Sequence, residues 1–191
     1  MTSILHFEIR PAGPISKKFL ALNISTFSEA TKFVRQLAYG RNENKADLAS
    51  LFADNCGTCS TKHALLKKLA DENNVEELKL MLGLFRMNAG NTPKISATLM
   101  QHKLDYIPEA HNYLKYKNQI FDFTNNNSKS ADFENELIEE MEIRTDQISD
   151  YKINYHKVYL KKWLNKQKIL NLTPGQLWTI REQCIADLSR S

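Results

Sequence analysis

The spacing of apolar and polar residues changes character twice along this chain, from helical to alternating and back to helical. Residues 4–9 (ILHFEI) alternate loosely and read as a short strand, ended by Pro11, Gly13 and Pro14. Thr26 and Glu29 then form a capping box, with threonine at the N-cap and glutamate three residues on. It opens a helix over 29–39 that Gly40 stops. A second helix is expected over 43–55. After the break at Gly57, a third covers 59–74, with Ala64, Leu65 and Leu69 on one face.

From 77 to 87 (ELKLMLGLFRM) the pattern switches to period two and predicts a strand. Pro93 suits the first position of a short helix reaching His102. Two aromatic-rich runs, 111–117 and 119–124, meet at Asn118 and read as a hairpin. A strand or helix is expected over 137–143, and a long helix over 151–168. Thr173-Pro174-Gly175-Gln176 starts a last helix through Leu188. The order of helices, a strand-rich middle and helices again predicts an α+β fold in a single domain spanning 1–191. Its core lies at about 27–125, and a C-terminal helical cover at about 147–191.

Composition narrows the class. The apolar share of 42% and charged share of 25% are those of an ordinary globular chain. No apolar run approaches the roughly 18 residues that a membrane span requires. The opening MTSILHFEIR is interrupted by Glu8 too soon for a signal peptide, so a cytoplasmic protein without a membrane partner is expected. Three cysteines do not make a disulfide framework.

Charge is unevenly distributed around a net of +4. Residues 132–146 hold seven carboxylates and one arginine, and residues 151–168 hold six lysines and no carboxylate. Tyr151, Tyr155, Tyr159 and Trp163 interleave with those lysines. An amphipathic helix with its aromatic stripe in the core and Lys157, Lys161 and Lys168 in water accounts for the pattern without a nucleic-acid partner, which ranks last.

The stretch Asn55-Cys56-Gly57-Thr58-Cys59 holds a C-x-x-C. A thioredoxin-like redox pair follows a buried strand, and the residues before Cys56 read as helical. A structural zinc site needs four ligands. Cys56, Cys59 and His63 have no second pair to join them, and His102 and His111 lack ligand spacing, so no metal and no cofactor is expected.

A nucleophile needs a cysteine at a helix start, a histidine base and a group to orient that histidine. Cys59 opens the third predicted helix. His111 begins one hairpin strand, and Asp122 lies on the other, at the same end of a hairpin that turns near Asn118. His63, one turn into the same helix as Cys59, reads as a supporting histidine. Glu109 shares a strand face with His111 and is placed to bind a cationic group.

A cysteine in Gly57-Thr58-Cys59, a histidine in His111-Asn112-Tyr113 and an aspartate in Asp122-Phe123-Thr124, in that order, resemble the transglutaminase-like superfamily. The resemblance covers residues 27–125. It implies a papain-type core in which a helix packs on a small antiparallel sheet, with Cys59 as nucleophile, His111 as base and acid, and Asp122 as the orienting carboxylate. Tyr113 stands where the family often has tryptophan. Gln36 and Tyr39 are the candidates for an oxyanion donor beside the backbone N–H of Cys59. The resemblance implies hydrolysis of an amide, peptide or isopeptide bond in a peptide or protein substrate. The alternative it implies is an inactive binding module of the same fold.

Overall fold

The computed structural model describes residues 5–167 and 171–188. Its first helix is one the hydrophobic pattern did not announce. The Pro11, Gly13, Pro14 cluster does not close a strand: Pro14 occupies the first turn of α1 (Pro14–Ala21), where a missing N–H costs nothing. The expected strand before it reduces to a single bridge between Glu8 and Thr26. At the next helix the capping box forms as predicted. Glu29 N–H donates to Thr26 Oγ1 at 3.2 Å, and Thr26 N–H donates to the Glu29 carboxylate at 3.0 Å, opening α2 (Phe27–Gln36).

That helix stops three residues early, because Ala38–Tyr39 leaves it as β1 and pairs in parallel with β2 (Cys56–Gly57). The two-residue β2 corrects the expectation that no strand delivers Cys56. Between them, only Ser50–Asp54 of the helix expected over 43–55 is helical (α3), and Asn55 ends it in the left-handed region at φ 51°. Asn42 accounts for much of the remainder. Its buried amide donates to Asp54 and to the carbonyl of Cys56, both at 2.9 Å, and its oxygen accepts from Thr61 at 2.6 Å. Within the segment, the Asn44 and Asp47 side chains accept the backbone N–H groups of Ala46 and Ala49, at 3.0 and 2.9 Å, in place of helical carbonyls.

Cys59–Glu72 forms α4, with Thr58 as N-cap. It lies against a four-stranded antiparallel sheet. The strands are β3 (Lys79–Asn88), β4 (Tyr106–Tyr116), β5 (Gln119–Phe121) and β6 (Leu137–Glu142), in spatial order β5-β4-β3-β6. The hairpin between β4 and β5 turns on Lys117 and Asn118, both at positive φ (46° and 64°), the backbone of a tight two-residue turn. Before β4, Ser96–Gln101 forms α5. After β6 come α6 (Asp150–Lys166) and α7 (Pro174–Leu188).

The sheet is covered on both faces. Leu80, Leu82 and Leu84 of β3 join Phe19, Phe27, Val34 and Leu65 in one core, under α1, α2 and α4. Met81, Phe85 and Met87 face the other way, into a second core with Leu160, Trp163, Leu177 and Ile180 of α6 and α7. Period-two alternation in β3 therefore separates two apolar cores, so both its odd and even positions are hydrophobic. Gly83 breaks the run for a steric reason. A Cβ there would lie 2.8 Å from the Tyr113 ring and 2.8 Å from Leu137.

The aromatic stripe of α6 is displaced from where the spacing set it. The helix buries Lys152, His156, Leu160, Trp163 and Leu164. Tyr151 is exposed and Tyr155 and Tyr159 are half-buried, with Tyr151 and Tyr155 stacked at 6.5 Å. Lys157 and Lys161 lie in solvent as expected; Lys168 falls outside the described residues. No described helix is long and apolar enough to cross a membrane.

Candidate active site

The site forms where β5 stops. Its last paired residue, Phe121, sits opposite Leu114, so the edge of β4 from Asn112 back to Glu109 has no neighbouring strand. The N-terminus of α4 fills that gap and brings Cys59 to the backbone N–H of Asn112, which donates toward the sulfur. Thr58 anchors the helix start through reciprocal bonds with Thr61, at 3.0 and 3.4 Å.

Asp122 follows directly after β5 and turns back. Its Oδ2 lies 3.0 Å from Nε2 of His111, while Oδ1 accepts from the backbone N–H of Thr124 at 2.9 Å and from its hydroxyl at 2.5 Å. With Nε2 engaged by the carboxylate, Nδ1 is the nitrogen His111 can offer to Cys59. An aromatic wall steadies the ring: Phe133 lies edge-on at 4.8 Å and Tyr113 stacks at 6.2 Å. Tyr113 reaches its place through the space left open at Gly83, and its hydroxyl donates to Glu140.

Electrostatics makes this group an ion pair. Burial alone would raise the Cys59 thiol, but Lys152 and His111 more than offset it and lower the thiol to about 6. Burial alone would lower His111, but Asp122 and Cys59 hold its proton and raise it to about 10. Asp122 is buried too, yet His111 keeps its carboxyl well below the usual carboxylate range. At neutral pH the group is therefore thiolate, imidazolium and carboxylate. The N-terminal end of α4 adds to the preference for thiolate.

Lys152 has no counterpart among the residues expected from the sequence. Its Nζ lies 3.7 Å from the Cys59 sulfur and donates to Ser60 Oγ and Asn112 Oδ1, each at 2.8 Å. Burial lowers its pKa, and the charges of Cys59 and Glu109 oppose that shift. The sequence carried one clue, a lysine one turn before His156 on the helix, but nothing in its spacing distinguished it from the five other lysines of that segment.

The supporting candidates separate. His63 is fully buried and does not address the sulfur. Its Nδ1 lies 2.7 Å from the carbonyl of Cys59, and Nε2 accepts the backbone N–H of Phe123 at 2.7 Å. A second ring proton would point at that N–H, and burial lowers the group to about 4. The 3.5 Å approach of Nε2 to Asp122 is thus a contact of a neutral ring. Gln36 ends α2 and is exposed. Tyr39 lies closer to the chemistry: burial and the charge of Cys59 raise its phenol, so it stays a donor. Lys62 fastens these parts together. It is fully buried and donates to the carbonyls of Leu37 at 2.6 Å and Thr124 at 2.7 Å, tying α4 to the segments that carry Tyr39 and Asp122.

Glu109, placed to bind a cation, finds one inside the chain. Arg181 of α7 holds it in a two-pronged pair, with Nε at 2.8 Å. Cys56 is a free thiol beside the carbonyl of Arg41, as Cys59 and Cys184 are also free, and no C-x-x-C disulfide is present. Among the described residues no group of three or more histidine, cysteine or acidic side chains could hold a metal ion.

Cys59 lines two cavities. One, of about 600 Å³, runs past Tyr39, His111, Asp122 and Phe133; the other, of about 390 Å³, runs past Tyr39, Lys152 and Arg181. A larger cavity of about 860 Å³ opens between α5 and α7, away from these groups. Comparison with protein-family models, curated proteins and solved structures finds no match to this chain.

Proposed function

We propose that this chain is a cysteine acyl-transfer enzyme with a transglutaminase-like, papain-type core, hydrolysing an amide, peptide or isopeptide bond through a Cys59 acyl-enzyme. The observation that carries the reading is the His111 imidazole held by Asp122 on Nε2 while its other nitrogen faces a thiol lowered to about 6. A thiolate, a proton donor and an orienting carboxylate on three different elements are the parts such chemistry needs.

The thiolate attacks the substrate carbonyl carbon, and the carbonyl electron pair moves onto oxygen. Donors for that oxyanion are the N–H of Cys59, which has no acceptor within its own helix, and the Tyr39 hydroxyl. Collapse of the intermediate breaks the C–N bond while His111 gives its proton to the departing amine. Water then enters, loses a proton to His111 and attacks the thioester, releasing the acid and restoring the thiolate–imidazolium pair. Lys152 lowers the charge cost of the resting thiolate throughout, so the nucleophile does not depend on His111 alone for its ionisation.

Two measurements test the proposal together. Cys59 should be alkylated by iodoacetamide at pH 6 far faster than Cys184, whose burial raises its thiol to about 11. With p-nitrophenyl acetate, peptide mass spectrometry should find the acetyl group on Cys59 and a burst of nitrophenolate that Cys59→Ala abolishes. A Cys59 that alkylates readily yet never acylates would instead support a binding module that kept the fold.

A further inference from the structure

The two cavities that meet at Cys59 differ in charge. The 600 Å³ cavity sets three cationic side chains (Arg35, Lys94, His111) against three carboxylates (Glu109, Asp122, Asp132) and the Cys59 thiolate, and the rest of its wall is apolar or amide and hydroxyl. The 390 Å³ cavity is lined by Arg41, Lys45, Lys152, Lys157 and Arg181 against only Glu109 and Glu182. Both of its carboxylates are engaged within the chain: Glu109 by Arg181, and Glu182 by Arg181 at 2.7 Å and Arg41 at 2.5 Å. Lys152 is balanced by the Cys59 thiolate it touches. His156 adds no charge, because burial lowers it and its Nε2 is bonded to the carbonyl of Pro108 at 2.8 Å.

Lys45 and Lys157 remain. Neither is in an ion pair among the described residues, and Lys157 is held over the face of Trp178 at 4.8 Å, which aims its ammonium along the cavity wall. A cavity with low-dielectric walls and unbalanced charge concentrates ligands of the opposite sign. Resting on the cysteine acyl-transfer reading, we propose that the Lys45–Lys157 cavity is a subsite for a carboxylate, so that the substrate is an amide carrying an acidic group on that side of the scissile bond. The acid is a carboxylate rather than another anion because the amides such an enzyme cleaves are built from amino acids. It comes either from a glutamate or aspartate side chain or from a free α-carboxyl end.

The test uses three alkylating probes that differ only in charge: the α-amide of N-chloroacetyl-glutamate, N-chloroacetyl-glutamine with a free α-carboxylate, and the α-amide of N-chloroacetyl-glutamine. Rates of Cys59 labelling are divided by the rates for a small free thiol, and repeated in Lys45→Gln/Lys157→Gln. At least one acidic probe should outpace the neutral one by roughly three- to sevenfold, the effect of two unit charges about 7 Å away in a screened, water-like medium. Which acidic probe gains identifies the source of the carboxylate. The advantage should shrink in high salt and vanish in the double variant, while the neutral probe keeps its rate. If Cys59 labels equally with all three probes, or if the advantage survives in the double variant, the subsite is overturned and the nucleophile stands. If no probe labels Cys59, the cysteine reading itself falls.

Discussion

The Nζ of Lys152 lies 3.7 Å from the sulfur of Cys59, although the two residues are 93 positions apart in the chain. A buried ammonium beside a buried thiolate lowers the energy of each, and it ties the α6 helix to the chemistry at the start of α4. The C-terminal helices are thus part of the site as well as a cover for the sheet.

Lys152→Met keeps the length of the side chain and removes its charge. Ser60 Oγ and Asn112 Oδ1 still bond each other at 2.9 Å, so the neighbours are not stranded. The pH midpoint of iodoacetamide alkylation at Cys59 should rise from about 6 by roughly one unit or more, and the alkylation rate at pH 6 should fall about fivefold for the first unit and about tenfold for each further one. An unchanged midpoint would show that His111 alone sets the thiolate.

The two histidines nearest the sulfur should titrate in opposite directions, visible in ring-nitrogen NMR. His63 should stay neutral down to about 4, and His111 should keep its second proton up to about 10. Their contributions to stability follow from an unfolded value near 6.5. Folded His63 refuses a proton that the unfolded chain accepts, so its contribution falls as pH drops from 6.5 toward 4. His111 adds stability that is complete below 6.5 and is lost as pH rises toward 10. A His63 ring that titrates near 6.5 would contradict its bond from Phe123.

Arg181→Met leaves Glu109 buried without a partner. Breaking a buried pair from one side costs about 3–5 kcal/mol, whereas removing both charges costs far less. Urea denaturation should therefore show Arg181→Met strongly destabilised, and Glu109→Gln/Arg181→Met should recover most of the loss. Additive effects in that cycle would mean that the two side chains do not depend on each other.

Gly83→Ala puts a methyl 2.8 Å from both the Tyr113 ring and Leu137, inside a packed core. Overpacking of this kind costs about 1–3 kcal/mol. Since Tyr113 stacks on His111, the same change should also disturb the His111 ring signals. A variant with wild-type stability and unshifted His111 resonances would show that the ring has room to move.

Local chemistry made part of this protein readable in one dimension. Thr26 and Glu29 satisfy each other within four residues, so the start of α2 was visible. Asn118 tolerates the left-handed backbone that a two-residue turn demands, so the hairpin that carries His111 toward Asp122 was visible as well. Cys59 could be placed at a helix start because Gly57 and Thr58 precede an apolar run. In each case the partners lie close along the chain.

The rest was decided between distant segments. The residues after Asn42 resemble a helix, but Asn42 spends its amide on Asp54, Cys56 and Thr61, and the segment follows those bonds. Helical spacing shows which residues of α6 share a face. It does not show what the opposite surface offers: the start of α4 offers the Cys59 thiolate and Ser60, and β4 offers Asn112, three partners that favour Lys152 inward over Tyr151. Lys62 and Arg181 went unseen for the same reason, since a charged side chain reads as solvated until its long-range acceptor is known. Periodicity records the preference of a residue for water or for fat; a buried charge follows instead from one partner at one distance, which only the folded chain brings into place.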